Sequence, residues 1–84
     1  MFGLTNQFRR AAVSINLNIA EGTSRTKKDF GHFLDLARGS CYECVSILQI
    51  AKSSYYISES GYLKCYGDCE KISKMISALK NSLG

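Results

Sequence analysis

The strongest constraint on the fold is a run of apolar residues in the middle of the chain, spaced alternately four and three positions apart. The run consists of Phe30, Leu34, Ala37, Cys41, Cys44, Leu48, Ala51 and Tyr55. This spacing places the side chains on one stripe of an α-helix, and here it continues for about four heptads. A helix over about residues 26–55 would be roughly 44 Å long, since each residue adds about 1.5 Å. Such a helix is typical of a helical bundle.

Two shorter runs with the same periodicity flank this one. The first covers about residues 4–21 and contains Leu4, Phe8, Ala11, Ala12, Ile15 and Ile19. The third covers about residues 62–83 and contains Tyr62, Tyr66, Cys69, Ile72, Ile76, Leu79 and Leu83. Short connections predict antiparallel neighbours. The predicted fold class is therefore all-α, an antiparallel up-down bundle of three long helices in a single domain over residues 1–84.

Several residues predict where these helices begin and end. Gly22 follows the first run at the position of a left-handed C-cap. Thr26 can cap the second helix, and Asp29 would favour the positive end of its dipole. The polar residues 58–61 interrupt the pattern before the third helix.

The amino-acid composition excludes several classes of protein. The chain has 84 residues, 45% of them apolar and 21% charged, and no proline. This apolar content excludes a disordered tail, and the lack of proline permits long helices. No stretch approaches about 18 uncharged apolar residues, and residues 1–10 show no secretory signal. We therefore expect a cytoplasmic protein with reduced cysteines and no membrane partner.

The second helix carries apolar residues beyond its stripe, including Phe33, Val45, Ile47 and Ile50. Two companion helices would leave part of that surface uncovered. Because large exposed apolar patches normally mark interaction sites, we expect the chain to form a homo-oligomer or to bind another helix.

Positive charge is concentrated in the first half of the chain. Of a net charge of +4, residues 1–40 contribute six basic and three acidic side chains. The candidate phosphate contacts are Arg9, Arg10, Arg25, Lys27, Lys28 and Arg38. Three of them, Arg25, Lys27 and Lys28, cluster at the start of the second helix, where backbone amides already favour anions. Since no RNA-recognition aromatic motif is present, phosphate and shape recognition would dominate over base reading.

Four polar residues form two pairs that are each three positions apart. Asn18 and Glu21 lie on the first helix, and Ser40 and Glu43 on the second. Each pair can share one helix face. They predict either a binding patch or, as we favour, a hydrogen-bonded network between helices that one of Arg9, Arg10 or Arg25 completes. Gly39 would then allow the helices to approach closely.

The four cysteines are the candidate metal ligands of the chain. Cys41 and Cys44, with Cys65 and Cys69, could place two pairs of thiols around a zinc ion. The stripe, however, needs small apolar residues at the first two positions, so core packing is the favoured interpretation and no metal or cofactor is expected.

His32 has no neighbouring nucleophile and is expected on the surface of the second helix. The chain is therefore predicted not to be an enzyme and to have no small-molecule substrate. Three tyrosines, Tyr55, Tyr62 and Tyr66, occupy stripe positions. They are interpreted as core or interface residues in preference to base-stacking residues.

Two segments carry a resemblance to a known family. They are RRAAVSINLNIAEG at residues 9–22, followed by Arg25, and FxxFLDLARGSCYE at residues 30–43. In order and separation they resemble the four-helix-bundle, ribosomal-protein-like proteins encoded in intervening sequences of bacterial 23S rRNA genes. Accessory proteins of diversity-generating retroelements share that fold. A looser similarity continues through Tyr56 and Ile57.

The resemblance implies a ring-shaped assembly, typically a homopentamer with a basic surface, that associates with structured RNA or with a reverse-transcriptase complex. The family's usual first helix has no counterpart in this sequence, so the fold implied is a truncated four-helix bundle. Asn16 replaces a frequent proline of the family, which predicts a straighter helix.

The leading hypothesis is a non-catalytic oligomer that binds RNA or DNA through its basic surface. The alternatives are a protein-interaction scaffold that uses an exposed apolar helix face, and a shortened reading frame without a selected function.

Overall fold

The computed structural model describes residues 2–84 and contains three α-helices in that range, with no strand. They are α1 (Phe2–Thr23), α2 (Lys27–Ser53) and α3 (Glu59–Ser82). Helices α1 and α2 are antiparallel. The Ser40 side chain forms a hydrogen bond with Ser14, and Tyr56, further along the chain, forms one with Thr5, nearer the start of α1. The predicted all-α class and the up-down arrangement of three helices are confirmed.

Side-chain caps define the N-termini of α2 and α3. The Thr26 hydroxyl accepts a hydrogen bond from the Asp29 amide at 3.2 Å, as the sequence predicts. The Ser58 hydroxyl accepts one from the Gly61 amide at 3.0 Å. Because a serine cap satisfies an otherwise unpaired amide of the first turn, α3 begins at Glu59, earlier than its apolar pattern predicts.

Two predicted boundary features are wrong. Gly22 is no left-handed cap, because α1 continues to Thr23 and Gly84 is the one glycine with positive φ among residues 2–84. Tyr55 is no stripe residue, because α2 ends at Ser53 and the Tyr55 side chain is 94% exposed with a φ of 59°. The Tyr56 amide closes the end of α2 by donating to the Ala51 carbonyl at 2.8 Å.

The core follows the stripe of α2, which is the central helix. Its buried side chains pack against partners from both other helices, and the cluster consists of Ala11, Ile15, Leu34, Ala37, Cys41, Cys44, Ile47, Leu48, Cys69 and Ile76. Within residues 2–84, α1 and α3 each pack against α2, whereas no Cα atom of α1 lies within 8 Å of a Cα atom of α3. The dimensions of 43 × 21 × 13 Å correspond to a layer about one helix thick. The bundle is therefore open on one side.

The α2–α3 contact is held by polar pairs as well as by the core. Lys80 donates to both carboxylate oxygens of Asp35 at 2.8 Å, and Arg38 donates to Ser77 at 3.2 Å. Near the other end Lys52 lies 3.6 Å from Glu59. In the part of the chain that the structure describes, no helix combines the length and the hydropathy that a membrane crossing requires.

Candidate nucleic-acid interface

The basic end of the layer comprises Arg25, Lys27 and Lys28, at the turn from α1 into α2. Lys27 and Lys28 occupy the first turn of α2 and are exposed. No carboxylate forms an ion pair with either lysine anywhere in residues 2–84. Their charges add to the partial positive charge of the helix N-terminus, so this end can attract a phosphate.

Arg25 is less available than the two lysines. Its guanidinium forms a short ion pair with Glu21, one turn back on α1, and lies 5.4 Å from the ring centroid of Phe33. The hydrogen bond from Arg25 to Glu21 raises the arginine pKa above its ordinary value. A phosphate at Arg25 would therefore have to compete with the Glu21 carboxylate.

The remaining predicted contacts lie away from the basic end. Arg9 and Arg10 are exposed on α1, more than ten residues before Glu21, and thus roughly 17 Å along the helix. No ion pair engages them among the described residues, so the predicted use of these arginines by Glu21 or Glu43 is not seen. Arg38 contacts Asp35 at 3.4 Å as well as Ser77, and therefore joins α2 to α3.

Two further residues, which the sequence did not assign to the basic end, lie beside it. Lys80 and His32 line one shallow depression together with Lys27 and Lys28. The hydrogen bonds from Lys80 lower the pKa of Asp35, so the carboxylate stays charged and offsets Lys80. The antiparallel packing of α3 on α2 brings Lys80 here from the far end of the sequence.

The interhelical polar network centres on Ser14. The Ser40 hydroxyl donates to the Ser14 hydroxyl oxygen at 2.9 Å, and the Asn18 amide donates to the Ser14 carbonyl at 2.9 Å and to its hydroxyl at 3.1 Å. Asn18 and Ser40 therefore meet in a structural network through Ser14, which the sequence pattern did not indicate. Satisfied polar groups between helices fix their register.

The other two residues of the predicted network lie outside it. Glu21 pairs with Arg25 on the surface, and Glu43 is exposed on α2. The predicted close approach at Gly39 is also wrong, because a Cβ at Gly39 would meet nothing within 4 Å. The close approach is at Gly22, where a Cβ would lie 2.7 Å from Phe30 Cδ1 and 2.9 Å from Phe33 Cβ.

The cysteines belong to the apolar core. Cys41 and Cys44 are 1% exposed, Cys69 is buried, and all four thiols are free. Burial raises the pKa of Cys44 to about 11 and also raises the pKa of Cys41 and Cys69. Residues 2–84 contain no group of three side chains arranged to hold a metal ion.

A family model described as the 23S rRNA-intervening sequence protein matches residues 1–78. The chain belongs to this family. No curated protein is significantly similar to this intervening-sequence protein. The crystal structure of a protein of unknown function from the S23 ribosomal protein family of Bacteroides thetaiotaomicron VPI-5482 is similar to it, with a TM-score of 0.90 and 25% identity. The alignment covers 95% of this chain and 75% of that one.

The two sequence segments that carry the family resemblance form one structural unit in this intervening-sequence protein. Residues 9–22 lie on α1 and residues 30–43 on α2, and the two helices pack antiparallel. Gly22 brings the end of α1 against Phe30 and Phe33, and the Ser14–Ser40 hydrogen bond fixes the middle. The resemblance to the family is thus confirmed, and its residues hold the turn that presents Lys27 and Lys28.

Proposed function

We propose that this intervening-sequence protein is a non-catalytic RNA-binding protein whose basic end contacts phosphates. The observation that carries the proposal is the pair of exposed lysines, Lys27 and Lys28, without ion-pair partners in residues 2–84. They stand at a capped helix N-terminus whose amides also favour anions. Binding of this kind draws its affinity from phosphate charge and from released counterions.

Two further observations support this function. The family model is named for 23S rRNA, and the similar crystal structure for a ribosomal protein family. The buried thiols also have raised pKa values, which keep them protonated and poorly nucleophilic at neutral pH. Both observations favour recognition of RNA over catalysis.

The test compares two charge-neutralised variants for binding to a hairpin RNA at low salt. Lys27→Gln/Lys28→Gln removes two charges from the basic end, and Lys71→Gln/Lys74→Gln removes two from exposed positions on α3. We expect the first variant to lose affinity by tenfold or more, on the order of two counterions released, and the control to bind almost as well as the original chain. Equal losses in the two variants, or no loss in the first, would contradict the assignment.

A second candidate function is supported by a different feature of the structure. The open side of the bundle, where α1 and α3 flank α2 with their Cα atoms more than 8 Å apart, favours docking of a further helix or chain. Salt separates the two functions, because apolar docking persists at a salt concentration that weakens phosphate binding.

A further inference from the structure

Helix α2 ends in a motif whose left-handed position is usually filled by glycine. The Tyr55 amide donates to the Lys52 carbonyl at 3.0 Å. The Tyr56 amide donates to the Ala51 carbonyl at 2.8 Å. These two hydrogen bonds form a Schellman motif, in which the residue after the cap adopts a positive φ. Tyr55 occupies that position with a φ of 59°, and it is the one residue other than glycine with a positive φ among residues 2–84.

The Tyr55 side chain gains no packing contact that would offset this conformation. It is 94% exposed, and no other aromatic ring in the described part of the chain packs against it. Glycine would adopt the same backbone conformation without a Cβ close to the following carbonyl oxygen. A bulky, exposed side chain at a strained position points to a role in function, because the fold itself does not use the side chain.

Three tyrosine rings, those of Tyr55, Tyr56 and Tyr62, line one broad depression at the turn from α2 into α3. Two of these rings are held in place. The Tyr56 hydroxyl forms a hydrogen bond with Thr5 at 2.9 Å, and the Lys52 ammonium lies 4.6 Å from the centroid of the Tyr62 ring. The third ring, that of Tyr55, has both faces open to solvent.

The depression offers aromatic surface without a net charge. Of the residues that line it, only Lys52 and Glu59 are charged, and their side chains lie 3.6 Å apart. Because the two charges offset each other, a phosphate gains little attraction at this turn. A flat, uncharged ring such as a nucleobase can instead stack on an exposed tyrosine, whichever base it is.

We propose that this depression is a stacking site for an unpaired base of RNA, with the Tyr55 ring as the stacking surface. The proposal rests on the proposed function, because the RNA bound at the basic end is the source of the base. The two sites lie at opposite ends of α2, which is roughly 40 Å long, and therefore contact different parts of the RNA. Stacking needs no base-specific hydrogen bonds, so it suits a chain without an RNA-recognition motif.

The test compares two single-stranded RNAs of about eight nucleotides, one with all its bases and one with abasic sites in their place. Both strands carry the same phosphate charge, so the ratio of their Kd values at one salt concentration measures the contribution of the bases alone. The original chain should bind the strand with bases about tenfold more tightly. Tyr55→Gly should bind the two strands nearly equally, although the folded protein becomes no less stable.

Two further variants separate stacking from a general effect on the fold. Tyr55→Phe keeps the ring and should keep the preference for the strand with bases. Tyr42→Ala removes a ring that is 59% exposed on α2 but lies outside the depression, and it should also keep the preference. Circular dichroism should show equal helicity for all variants.

The stacking site and the basic end can fail separately. Lys27→Gln/Lys28→Gln should weaken the binding of both strands by the same factor and leave the ratio of the Kd values unchanged. A Tyr55→Gly variant that keeps the preference would overturn the stacking site and would favour a protein as the contact of the exposed ring. Equal binding of both strands by the original chain, or an equal loss of preference in Tyr42→Ala, would also overturn it. If the original chain prefers bases but the lysine variant binds both strands unchanged, the proposed phosphate contact fails and the stacking site stands.

Discussion

Substitution of Gly22 by alanine tests the packing of α1 on α2 most sharply. The added Cβ would lie 2.7 Å from Phe30 Cδ1 and 2.9 Å from Phe33 Cβ. Carbon atoms in favourable contact lie about 3.5–4.0 Å apart. The Phe30 ring can turn aside, but Phe33 Cβ is fixed to the backbone of α2, so the two helices must separate locally.

The expected magnitude follows from two opposing effects. Overpacking of this kind costs about 1–3 kcal/mol. Replacing glycine in a helix returns up to about 1 kcal/mol, and less at Gly22 because α1 ends at Thr23. We expect Gly22→Ala to lower the free energy of unfolding by about 1–2 kcal/mol, which for a domain of this size lowers Tm by roughly 5–15 °C.

Gly39 provides the matched control. It lies in the middle of α2, and a Cβ there would meet nothing within 4 Å. Gly39→Ala should therefore stabilise the protein by about 0.5–1 kcal/mol through helix propensity alone. Both variants are compared with the original chain by thermal and urea unfolding, at one protein concentration because association would shift Tm. A Gly22→Ala variant as stable as the original, or a destabilised Gly39→Ala variant, would refute the packing described.

Two further predictions concern the end of α2 and the core thiols. Tyr55 adopts a φ of 59°, which glycine tolerates better, and its side chain is almost fully exposed. Tyr55→Gly should therefore raise the free energy of unfolding, measured by urea denaturation, by roughly 0.5–1 kcal/mol. A lower free energy of unfolding in the variant would contradict this and would mean that the exposed ring is held by a contact. Burial raises the pKa of Cys44 to about 11, so the unfolded chain releases this proton first as pH rises. The free energy of unfolding should therefore fall between about pH 9 and 11, by up to about 3 kcal/mol because of this thiol. In Cys44→Ala the free energy of unfolding should fall less over this pH range. An unchanged fall in the variant would exclude Cys44 as its cause.

The sequence predicted features that depend on local spacing. The periodicity of the stripe identified α2, and it placed Cys41 and Cys44 in the core as small apolar residues, where the structure finds them. The Thr26 cap was also predictable, because a cap is defined by residues a few positions apart. The spacing wrongly predicted that α2 extends to Tyr55, because the apolar pattern continues beyond the end of the helix. No glycine or proline marks that end in the sequence.

Features that depend on how two helices pack against each other could not be predicted from the sequence. The choice between Gly22 and Gly39 as the point of close approach rests on interhelical register. The same is true of Ser14, whose hydroxyl joins Asn18 to Ser40, and of Lys80, which reaches Asp35 from 45 residues away. Among the predicted phosphate contacts, only the structure separated the unpaired lysines from Arg25 and Arg38, which already form ion pairs.

Recognition of RNA phosphate by the basic end is tested most directly by the salt dependence of hairpin RNA binding. Between about 50 and 200 mM salt, the logarithm of affinity should fall linearly with the logarithm of salt concentration. The Lys27→Gln/Lys28→Gln variant should show a slope shallower by roughly 1.5, because two phosphate contacts are lost. An affinity that does not change with salt, or an equal slope in the original chain and the variant, would contradict the proposed function.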